Sequence, residues 1–358
     1  MLTLLIALLV IPLGLDLYMP VPEDNPMTVD KLELGRRLFH DRRLSRDGRV
    51  ACASCHDPRR SFSSPQPQAI GVFNRKGRRN APALINRAWG RAFFWDGRIP
   101  TLEEQVLKPI QDPNEMDLTL AEAAARVGLD VDTISRSLAS YVRGILSGDS
   151  PYDRFINGNR TALSRQQQQG LQIFRGKGNC TACHVGPTFS DEKLHNTGAA
   201  WRANEPRAGS NRTRPTLSPQ GSGLGLPAVA RPAIRRAEVG AGPARRSSPS
   251  DQASGGGDSG LGAGAGVFAD LGRAIVTGRN ADRGQFKTPT LREVARTSPY
   301  MHDGSLASLD AVVNFYSDGG RRNPNLDPEI RPLRLIAAEK RALVAFLKSL
   351  SGTVREGP

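Results

Sequence analysis

Two short segments of the sequence combine two cysteines and a histidine at one fixed spacing. They read CASCH at residues 52–56 and CTACH at residues 180–184. The C-x-x-C-H pattern is typical of covalent haem attachment, in which both cysteines form thioether bonds to the porphyrin and the histidine binds the iron. We therefore predict two covalently bound haem c groups, with His56 and His184 as proximal iron ligands.

These two motifs use every cysteine in the chain, namely Cys52, Cys55, Cys180 and Cys183. No thiol remains for a disulfide or a catalytic nucleophile. A zinc site is the alternative for a C-x-x-C pair, but it requires further cysteine or histidine ligands nearby. Neither segment has them, so we favour haem.

Length and charge set broad limits on the class of protein. The 358 residues suffice for two domains, one for each haem motif. The net charge of +14 allows a nucleic acid, a membrane surface or an acidic protein as partner. No basic run is interleaved with aromatic residues, so we expect no nucleic-acid binding and favour an acidic redox partner or a general effect on solubility.

The N-terminus is predicted to be a signal peptide or an N-terminal anchor over residues 1–20. Residues 2–15 form an apolar run of signal-peptide length that is short for a bilayer span. No lysine or arginine precedes Lys31 and no A-x-A-like site follows, so cleavage and retention both stay open. Export agrees with covalent haem, and we predict a periplasmic protein with no membrane contact beyond this segment.

Helix signals dominate the remaining sequence. Capping residues and apolar residues of helical period predict helices that begin after Thr28, Thr101, Thr119 and Ser164. Further helices are predicted with Val131, Ile134, Leu138, Tyr141 and Ile145 on one face, from Leu309 to Tyr316, and up to Leu350. Because no convincing period-two strand is found, we predict a mainly α fold of two cytochrome c-like helical domains, each with one covalent haem c.

The predicted domains cover residues 21–160 and 161–352, and an insert interrupts the second. Residues 199–269 are rich in glycine, proline and arginine. Such a composition buries too little apolar surface to offset the entropy of ordering. We predict a low-complexity, disordered insert without chemistry.

Taken together, the ordered motifs resemble the bacterial di-haem cytochrome c peroxidase family, and more narrowly its MauG-like branch. The matching segments occur in the family's order and cover nearly everything except the N-terminus and the insert. They are LGRRLF (34–39), CASCH, RNAP (79–82), FWDGR (94–98), LEEQ (102–105), Pro109-Ile110, Glu115-Met116, the second C-x-x-C-H, FKTPTLR (286–292) and PYMHDG (299–304).

The resemblance implies that the first haem reacts with peroxide and that Gln105 and Glu115 lie over its open face. Cleavage of the O–O bond needs a group that takes a proton from peroxide and returns it to the leaving oxygen, and Glu115 suits that role. Gln105 does not titrate near neutral pH, so it would orient peroxide or water by hydrogen bonding. Without the family, both residues would be interpreted as solvated polar residues.

The resemblance also assigns an electron relay and a calcium site. Trp95 matches a tryptophan between the two haems, although a bare tryptophan would be interpreted as a core residue. Asn80 matches a residue that helps to bind calcium, together with backbone carbonyls near Thr288 and Pro289. Calcium prefers oxygen ligands of this type.

One departure from the family concerns the distal side of the first haem. Classical members carry a histidine there that caps the iron, whereas Val72 stands near that position in this chain. No histidine occurs between His56 and His184. Unless His40, His195 or His302 reaches in, we expect an open iron in the oxidised protein.

A second departure concerns the sixth ligand of the second haem, which is methionine in classical members. The helix from Leu309 places Tyr316 at this point, and tyrosine is the MauG-like choice. Met301 is the rival ligand, and a core tyrosine is the alternative role for Tyr316.

The resemblance implies an oxidoreductase that reduces hydrogen peroxide at the open haem, with electrons relayed through the second haem. The electrons would come from a small redox protein, a cytochrome c or cupredoxin. Two alternatives stay open. One is a MauG-like oxidase that modifies a protein substrate, and the other is a di-haem electron carrier without peroxide turnover.

Overall fold

The computed structural model describes residues 10–203 and 266–357. Helices are the main regular elements of these residues, as the sequence predicts. They are α1 Val29–Phe39, α2 Cys52–Cys55, α3 Leu102–Gln105, α4 Lys108–Gln111, α5 Leu120–Val127, α6 Val131–Arg143, α7 Pro151–Ile156, α8 Arg165–Arg175, α9 Ala274–Thr277, α10 Leu309–Ser317 and α11 Ala337–Lys348.

Most predicted helix starts are confirmed, because local capping hydrogen bonds set them. The side chains of Thr28, Thr101, Thr119 and Ser164 each accept a hydrogen bond from a backbone N–H in the first turn of the helix that follows. Two helix ends differ from the prediction. Ile145 and Leu350 lie beyond the ends of α6 and α11, since those helices stop at Arg143 and Lys348.

Three short antiparallel ribbons were missed by the sequence analysis. They are β1 Ile145–Gly148 with β6 Thr353–Glu356, β2 Leu194–His195 with β5 Phe286–Lys287, and β3 Trp201–Arg202 with β4 Val267–Phe268. Strands of two to four residues are too short to show a period-two pattern. Each ribbon joins segments far apart in sequence, so its pairing is a tertiary contact.

Two helix crossings have the same construction and lie beside the two haem motifs. Helix α1 packs on α6, and α8 packs on α11. At each crossing a glycine lets the backbones touch. A Cβ on Gly35 would overlap the carbonyl oxygen of Ser137, and a Cβ on Gly170 would overlap that of Ala342. These glycines are therefore required for packing.

An aromatic trio fills the space under each crossing. In the first half Phe39 lies 5.9 Å from Phe62 and 5.2 Å from Tyr141 between ring centres. In the second half Phe174 lies 6.1 Å from Phe189 and 5.1 Å from Phe346. Two hydrophobic clusters of buried residues surround these trios. The halves thus repeat one packing scheme, while the predicted domain boundaries stay a prediction.

Part of the predicted signal peptide or anchor packs onto the folded chain. The Leu13 carbonyl accepts a hydrogen bond from the Asp149 N–H at 2.8 Å, and the Gly14 carbonyl accepts one from Arg292 Nη2 at 2.7 Å. Leu15 is buried. Residues 1–9 lie outside the described residues, and no helix among residues 10–203 and 266–357 has the length and apolar character of a bilayer span.

The predicted insert falls mostly outside the described residues, which omit 204–265. Its two ends are described and pair as the β3–β4 ribbon, where Trp201 packs edge-on against Phe268 with 4.8 Å between ring centres. These ends belong to the same compact unit as both haem motifs.

Candidate active site

The first C-x-x-C-H motif lies on one helical turn. Helix α2 holds both cysteines, and His56 follows directly. The Nδ1 atom of His56 lies 3.2 Å from the Phe62 carbonyl oxygen. Because a carbonyl only accepts, Nδ1 carries the proton and Nε2 keeps its lone pair for a metal. This is the tautomer that an iron ligand requires.

The second motif repeats this arrangement. Residues Cys180–Ala182 form a 3₁₀ turn, and His184 Nδ1 lies 2.8 Å from the Phe189 carbonyl oxygen. Phe62 and Phe189 both have positive φ angles, 58° and 53°. Bulky residues rarely adopt this conformation. The positive φ angle occurs at both motifs. This indicates that the hydrogen bond between the phenylalanine carbonyl and the histidine compensates for the unfavourable backbone conformation.

The protonation states of the motif residues fit haem c. Burial lowers the pKa of His56 to about 4 and also lowers the pKa of His184, so both imidazoles are neutral donors. Burial raises the pKa of Cys52 to about 12 and that of Cys55 to about 11. An environment that disfavours thiolates suits the uncharged sulfur of a thioether.

Both motifs face one connected cavity of about 1460 Å³. This volume exceeds the roughly 300–1,000 Å³ of a single small-molecule pocket. The wall contains most of the predicted site residues, which are Cys55, His56, Asn80, Trp95, Gln105, Glu115, Cys180, Cys183, His184, Thr288, Pro289, Met301 and Tyr316. The structure therefore brings together residues that the sequence places over 260 positions.

Glu115 is a buried carboxyl of this wall with a raised pKa. Burial and the nearby Asp112 carboxylate raise its pKa to about 7, and the Arg98 guanidinium partly opposes them. A group with a pKa near neutral is suited both to accept and to return a proton. Gln105 lies on the same wall at the end of α3.

The residue near the predicted distal position is buried and apolar. Val72 has no exposed surface and does not line the cavity. Its N–H donates to the Glu115 carbonyl oxygen at 2.8 Å. A Cβ on Gly71 would overlap the carbonyl oxygen of Asn114, so this loop rests directly on the backbone next to Glu115. The loop supports the Glu115 segment and offers no ligating side chain from Val72.

The three remaining histidines have other surroundings. His40 is exposed. The His195 ring donates to Asp191 at 2.9 Å and to Asp327 at 2.6 Å. His302 is buried and stacks on Phe286, with 3.8 Å between ring centres.

His195 and Asp191 also lie close enough to Cys183 to resemble a metal site. Both nitrogens of His195 face carboxylates, so the ring must carry two protons and has no free lone pair. Contact with the Cys183 thiol and with both carboxylates raises the pKa of His195, and the carboxylates keep this effect when Cys183 is a thioether. We therefore interpret this cluster as an ionic support of the second motif. Sequence analysis missed it because Asp327 is 132 residues from His195.

Trp95 joins the two halves through hydrogen bonds. Its indole N–H donates to the Asn80 carbonyl oxygen at 2.8 Å, and its own carbonyl accepts from the N–H of Lys287 in β5 at 2.7 Å. Asn80 N–H in turn donates to the His302 carbonyl oxygen at 2.7 Å. These hydrogen bonds therefore hold Trp95 where the two halves of the chain meet.

Tyr316 lies near the second motif. Burial raises the pKa of Tyr316 to about 12. A hydrogen bond with Thr197 lowers this pKa, and the neighbouring thiols of Cys183 and Cys180 raise it. Met301 sits in a loop that packs on the first half, since a Cβ on Gly304 would overlap Pro67. Tyr316 therefore has both cysteines of the second motif as neighbours, while Met301 and Tyr316 both line the cavity.

The predicted calcium ligands already make contacts within the protein. The Thr288 carbonyl oxygen already accepts from Ser190 Oγ at 2.7 Å and from the Lys287 ammonium at 3.3 Å. The amide nitrogen of Asn80 donates to the Gln66 carbonyl oxygen. The bond of Asn80 does not use its side-chain oxygen, whereas the Lys287 ammonium would repel a dication at Thr288. Calcium at this place stays a prediction.

The repeated helix crossings, paired motifs and shared cavity define a protein of the c-type haem class. Residues 29–161 match the family described as di-haem cytochrome c peroxidase. A relative that is 36% identical over 93% of this chain shows that the chain belongs to this family, which confirms the resemblance and implies haem c as the cofactor.

Individual relatives match along most of the chain. The protein is 36% identical over 350 residues to cytochrome-c peroxidase IdrP2 of Denitromonas iodatirespirans, covering 93% of this chain and 84% of the relative. It is 31% identical to methylamine utilization protein MauG of Methylorubrum extorquens, with 92% and 81% covered. The crystal structure of a MauG-like protein associated with microbial copper homeostasis superimposes with a TM-score of 0.69, at 30% identity, covering 95% of this chain and 94% of that one.

Proposed function

We propose that this protein reduces hydrogen peroxide at an open haem c held by Cys52, Cys55 and His56. A second haem c, held by Cys180, Cys183 and His184, would relay electrons to it. The observation that carries the proposal is the shared cavity. Cys55 and His56 of the first motif line it together with Glu115, whose pKa is raised to about 7. Val72, at the predicted distal position, has no ligating atom.

When bound, haem supplies the iron that binds peroxide and takes up its oxidising equivalents. The chain supplies the proton handling. The ionised Glu115 carboxylate would accept a proton from one oxygen of peroxide, and the resulting carboxyl would return it to the other oxygen, which leaves as water. Gln105 offers an amide that donates and accepts, which orients peroxide or water without changing charge.

Electron supply depends on the second half of the cavity. Hydrogen bonds hold Trp95 where the two halves of the chain meet, and we assign to it the relay of electrons between the two motifs. The second haem would have His184 and Tyr316 as axial ligands. An acidic small redox protein, a cytochrome c or cupredoxin, is the electron donor that we favour because the chain is strongly basic. We place the reaction in the periplasm.

A MauG-like oxidation of a protein substrate is the second candidate, supported by the relatives of that name and by Tyr316. The residues just ahead of Cys180 are Lys177, Gly178 and Asn179. None of these three residues is aromatic, so they offer no aromatic side chain that could pass electrons to a docked protein. We therefore favour peroxide reduction.

Spectra of the oxidised protein test the open coordination position. We expect one high-spin haem, from the first motif, and one low-spin haem in the electronic and EPR spectra. Two low-spin haems would mean that a side chain such as His302 binds the first iron, and the protein would then be an electron carrier. Mixing with peroxide in a stopped-flow instrument should change the high-spin bands first.

The ligand of the second haem is tested by exchanging Tyr316. Tyr316→Met should raise the midpoint potential of the low-spin haem by on the order of 100 mV, because a thioether ligand stabilises reduced iron more than a phenolate does. Potentiometric titration followed by EPR measures this. Met301→Leu is the control and should leave the low-spin signal in place. Loss of that signal in Met301→Leu, but not in Tyr316→Phe, would make methionine the ligand.

A further inference from the structure

The two helix crossings of the fold match each other in detail, and they differ at one aromatic position. A Cβ on Gly35 would lie 2.7 Å from the Cβ of Tyr141, and a Cβ on Gly170 would lie 2.7 Å from the Cβ of Phe346. Tyr141 and Phe346 therefore hold equivalent places beside the first and the second haem motif. Of this pair, Tyr141 alone carries a hydroxyl group.

Packing does not require this hydroxyl group. The second aromatic trio closes around Phe346, which lies 5.1 Å from Phe174 between ring centres. The first trio closes in the same way around Tyr141, which lies 5.2 Å from Phe39. Burying a hydroxyl group costs free energy unless it has a hydrogen-bond partner. The hydroxyl group of Tyr141 thus gives the first half a chemical property that the second half lacks at this place.

A carboxylate from the far end of the chain accepts the hydrogen bond of this hydroxyl group. Tyr141 Oη donates to Glu356 Oε2 at 2.8 Å. The register of the β1–β6 ribbon sets the contact, because Glu356 pairs with Ile145 just beyond the end of α6. Tyr141 is 1% exposed, whereas Glu356 is exposed. The pair therefore leads from the core of the first half to solvent.

Tyr141 belongs to the same packed cluster as the first haem motif. Its ring centre lies 6.4 Å from that of Phe62, whose carbonyl oxygen is 3.2 Å from His56 Nδ1. Cys52 packs against the hydrophobic cluster that contains Tyr141. A haem attached to Cys52 and bound by His56 would thus be separated from the Tyr141 ring by few side chains. Electron transfer needs such proximity and does not need direct contact.

A phenol that loses an electron must also lose its proton, and Tyr141 has an acceptor for it. Burial, and then the hydrogen bond with Glu356, raise the pKa of Tyr141, so the phenol is neutral in the resting protein. The Glu356 carboxylate lies at hydrogen-bond distance and can take up the proton. Tyr300 is different, because it donates to the backbone carbonyl oxygen of Val294, which does not act as a base.

We propose that Tyr141 is a redox-active tyrosine of the first half, which gives one electron to the first haem while its proton passes to Glu356. The Tyr141 O–H bond breaks, and the products are a neutral tyrosyl radical and a Glu356 carboxylic acid. One of the two oxidising equivalents of peroxide is thereby transferred to Tyr141. One electron from a reductant in solution, with the proton held by Glu356, restores the phenol. This role rests on the proposed reaction of the first haem with peroxide.

Freeze-quench EPR of the oxidised holoprotein, mixed with hydrogen peroxide in the absence of a reductant, tests this role. We expect a tyrosyl radical signal that narrows when the protein contains ring-deuterated tyrosine, which distinguishes it from a radical on Trp95. Tyr141→Phe should lose this signal. The variant reproduces the arrangement at Phe346, and an unchanged high-spin signal of the resting protein would show that the first haem site is intact.

The proton acceptor is tested by a second variant. Glu356→Gln keeps a hydrogen-bond acceptor beside the phenol but no base, so the tyrosyl radical should form about two orders of magnitude more slowly. Tyr152→Phe is the matched control. Tyr152 lies 5.7 Å from Phe346 between ring centres, and its hydroxyl oxygen accepts from Arg175 Nη2 at 3.3 Å. This control should keep the tyrosyl signal.

The outcomes separate the role of Tyr141 from the proposed function. If peroxide changes the high-spin bands but no tyrosyl radical forms, or if the radical persists in Tyr141→Phe or is lost in Tyr152→Phe, the role of Tyr141 is refuted and the reaction with peroxide stands. A wild-type rate of radical formation in Glu356→Gln would refute the proposed proton transfer. If peroxide leaves the high-spin bands unchanged, the proposed function fails, and the role of Tyr141 fails with it.

Discussion

Glu115→Gln is expected to slow the reaction of the oxidised protein with hydrogen peroxide by about two orders of magnitude, the typical loss when general acid–base catalysis is removed. Glutamine keeps the shape and hydrogen-bonding capacity of the side chain but does not carry the proton. The rise in rate through pH of about 7 should disappear together with the activity. Stopped-flow measurement of the second-order rate constant between pH 5 and 9 checks both effects.

The matched control for this variant is Glu104→Gln. Glu104 is an exposed carboxylate on α3 next to Gln105 and does not line the cavity. Its replacement removes the same charge from the same part of the molecule and should leave the rate within a factor of about two, because exposed charges are screened by solvent. Equal rates for Glu115→Gln and the wild type would remove Glu115 from the mechanism.

Replacing both cysteines of the first motif by serine is expected to abolish peroxide turnover and to halve the covalently bound haem. Serine cannot form the thioether, so Cys52→Ser with Cys55→Ser should lose the high-spin haem and keep the low-spin one. Mass spectrometry of the denatured chain counts attached haem, and EPR identifies which signal is lost. The double variant should still contain the haem of the second motif.

The complementary double variant distinguishes the roles of the two haems. Cys180→Ser with Cys183→Ser should keep the high-spin signal and a first reaction with peroxide. It should lose turnover with a protein donor, because the relay is missing. If instead the second pair proves necessary for the first reaction with peroxide and the first pair does not, the assignment of the two haems is reversed.

Several features could be predicted from the sequence because their causes are local. The C-x-x-C-H spacing places both cysteines and the histidine on one turn, and that turn alone indicates haem c. Thr119 caps α5 because its side chain reaches the N–H of Glu122, three residues on. The family resemblance added residues such as Glu115 and Tyr316, which no local pattern would have singled out.

Other features escaped the sequence because they depend on contacts between distant segments. The strands β2 and β5 have two residues each, and only their pairing across about 90 positions makes them a ribbon. The Lys287 ammonium lies 3.3 Å from the Thr288 carbonyl oxygen, one of the predicted calcium ligands, and this contact follows from the fold. Asp96 and Asp270 are ordinary acidic residues in the sequence, and Arg79 joins them only in the folded chain.

The sequence by itself determined the two C-x-x-C-H motifs, the mainly helical fold and the resemblance to the di-haem peroxidase family, since spacing and capping act within a few residues. Only the tertiary structure decided that both motifs open into one cavity and that burial and the Asp112 carboxylate raise the pKa of Glu115 to about 7. The physical reason is that burial and Coulomb interactions depend on which groups become neighbours in space. Those neighbours are set by packing around Gly35, Gly170 and the two aromatic trios.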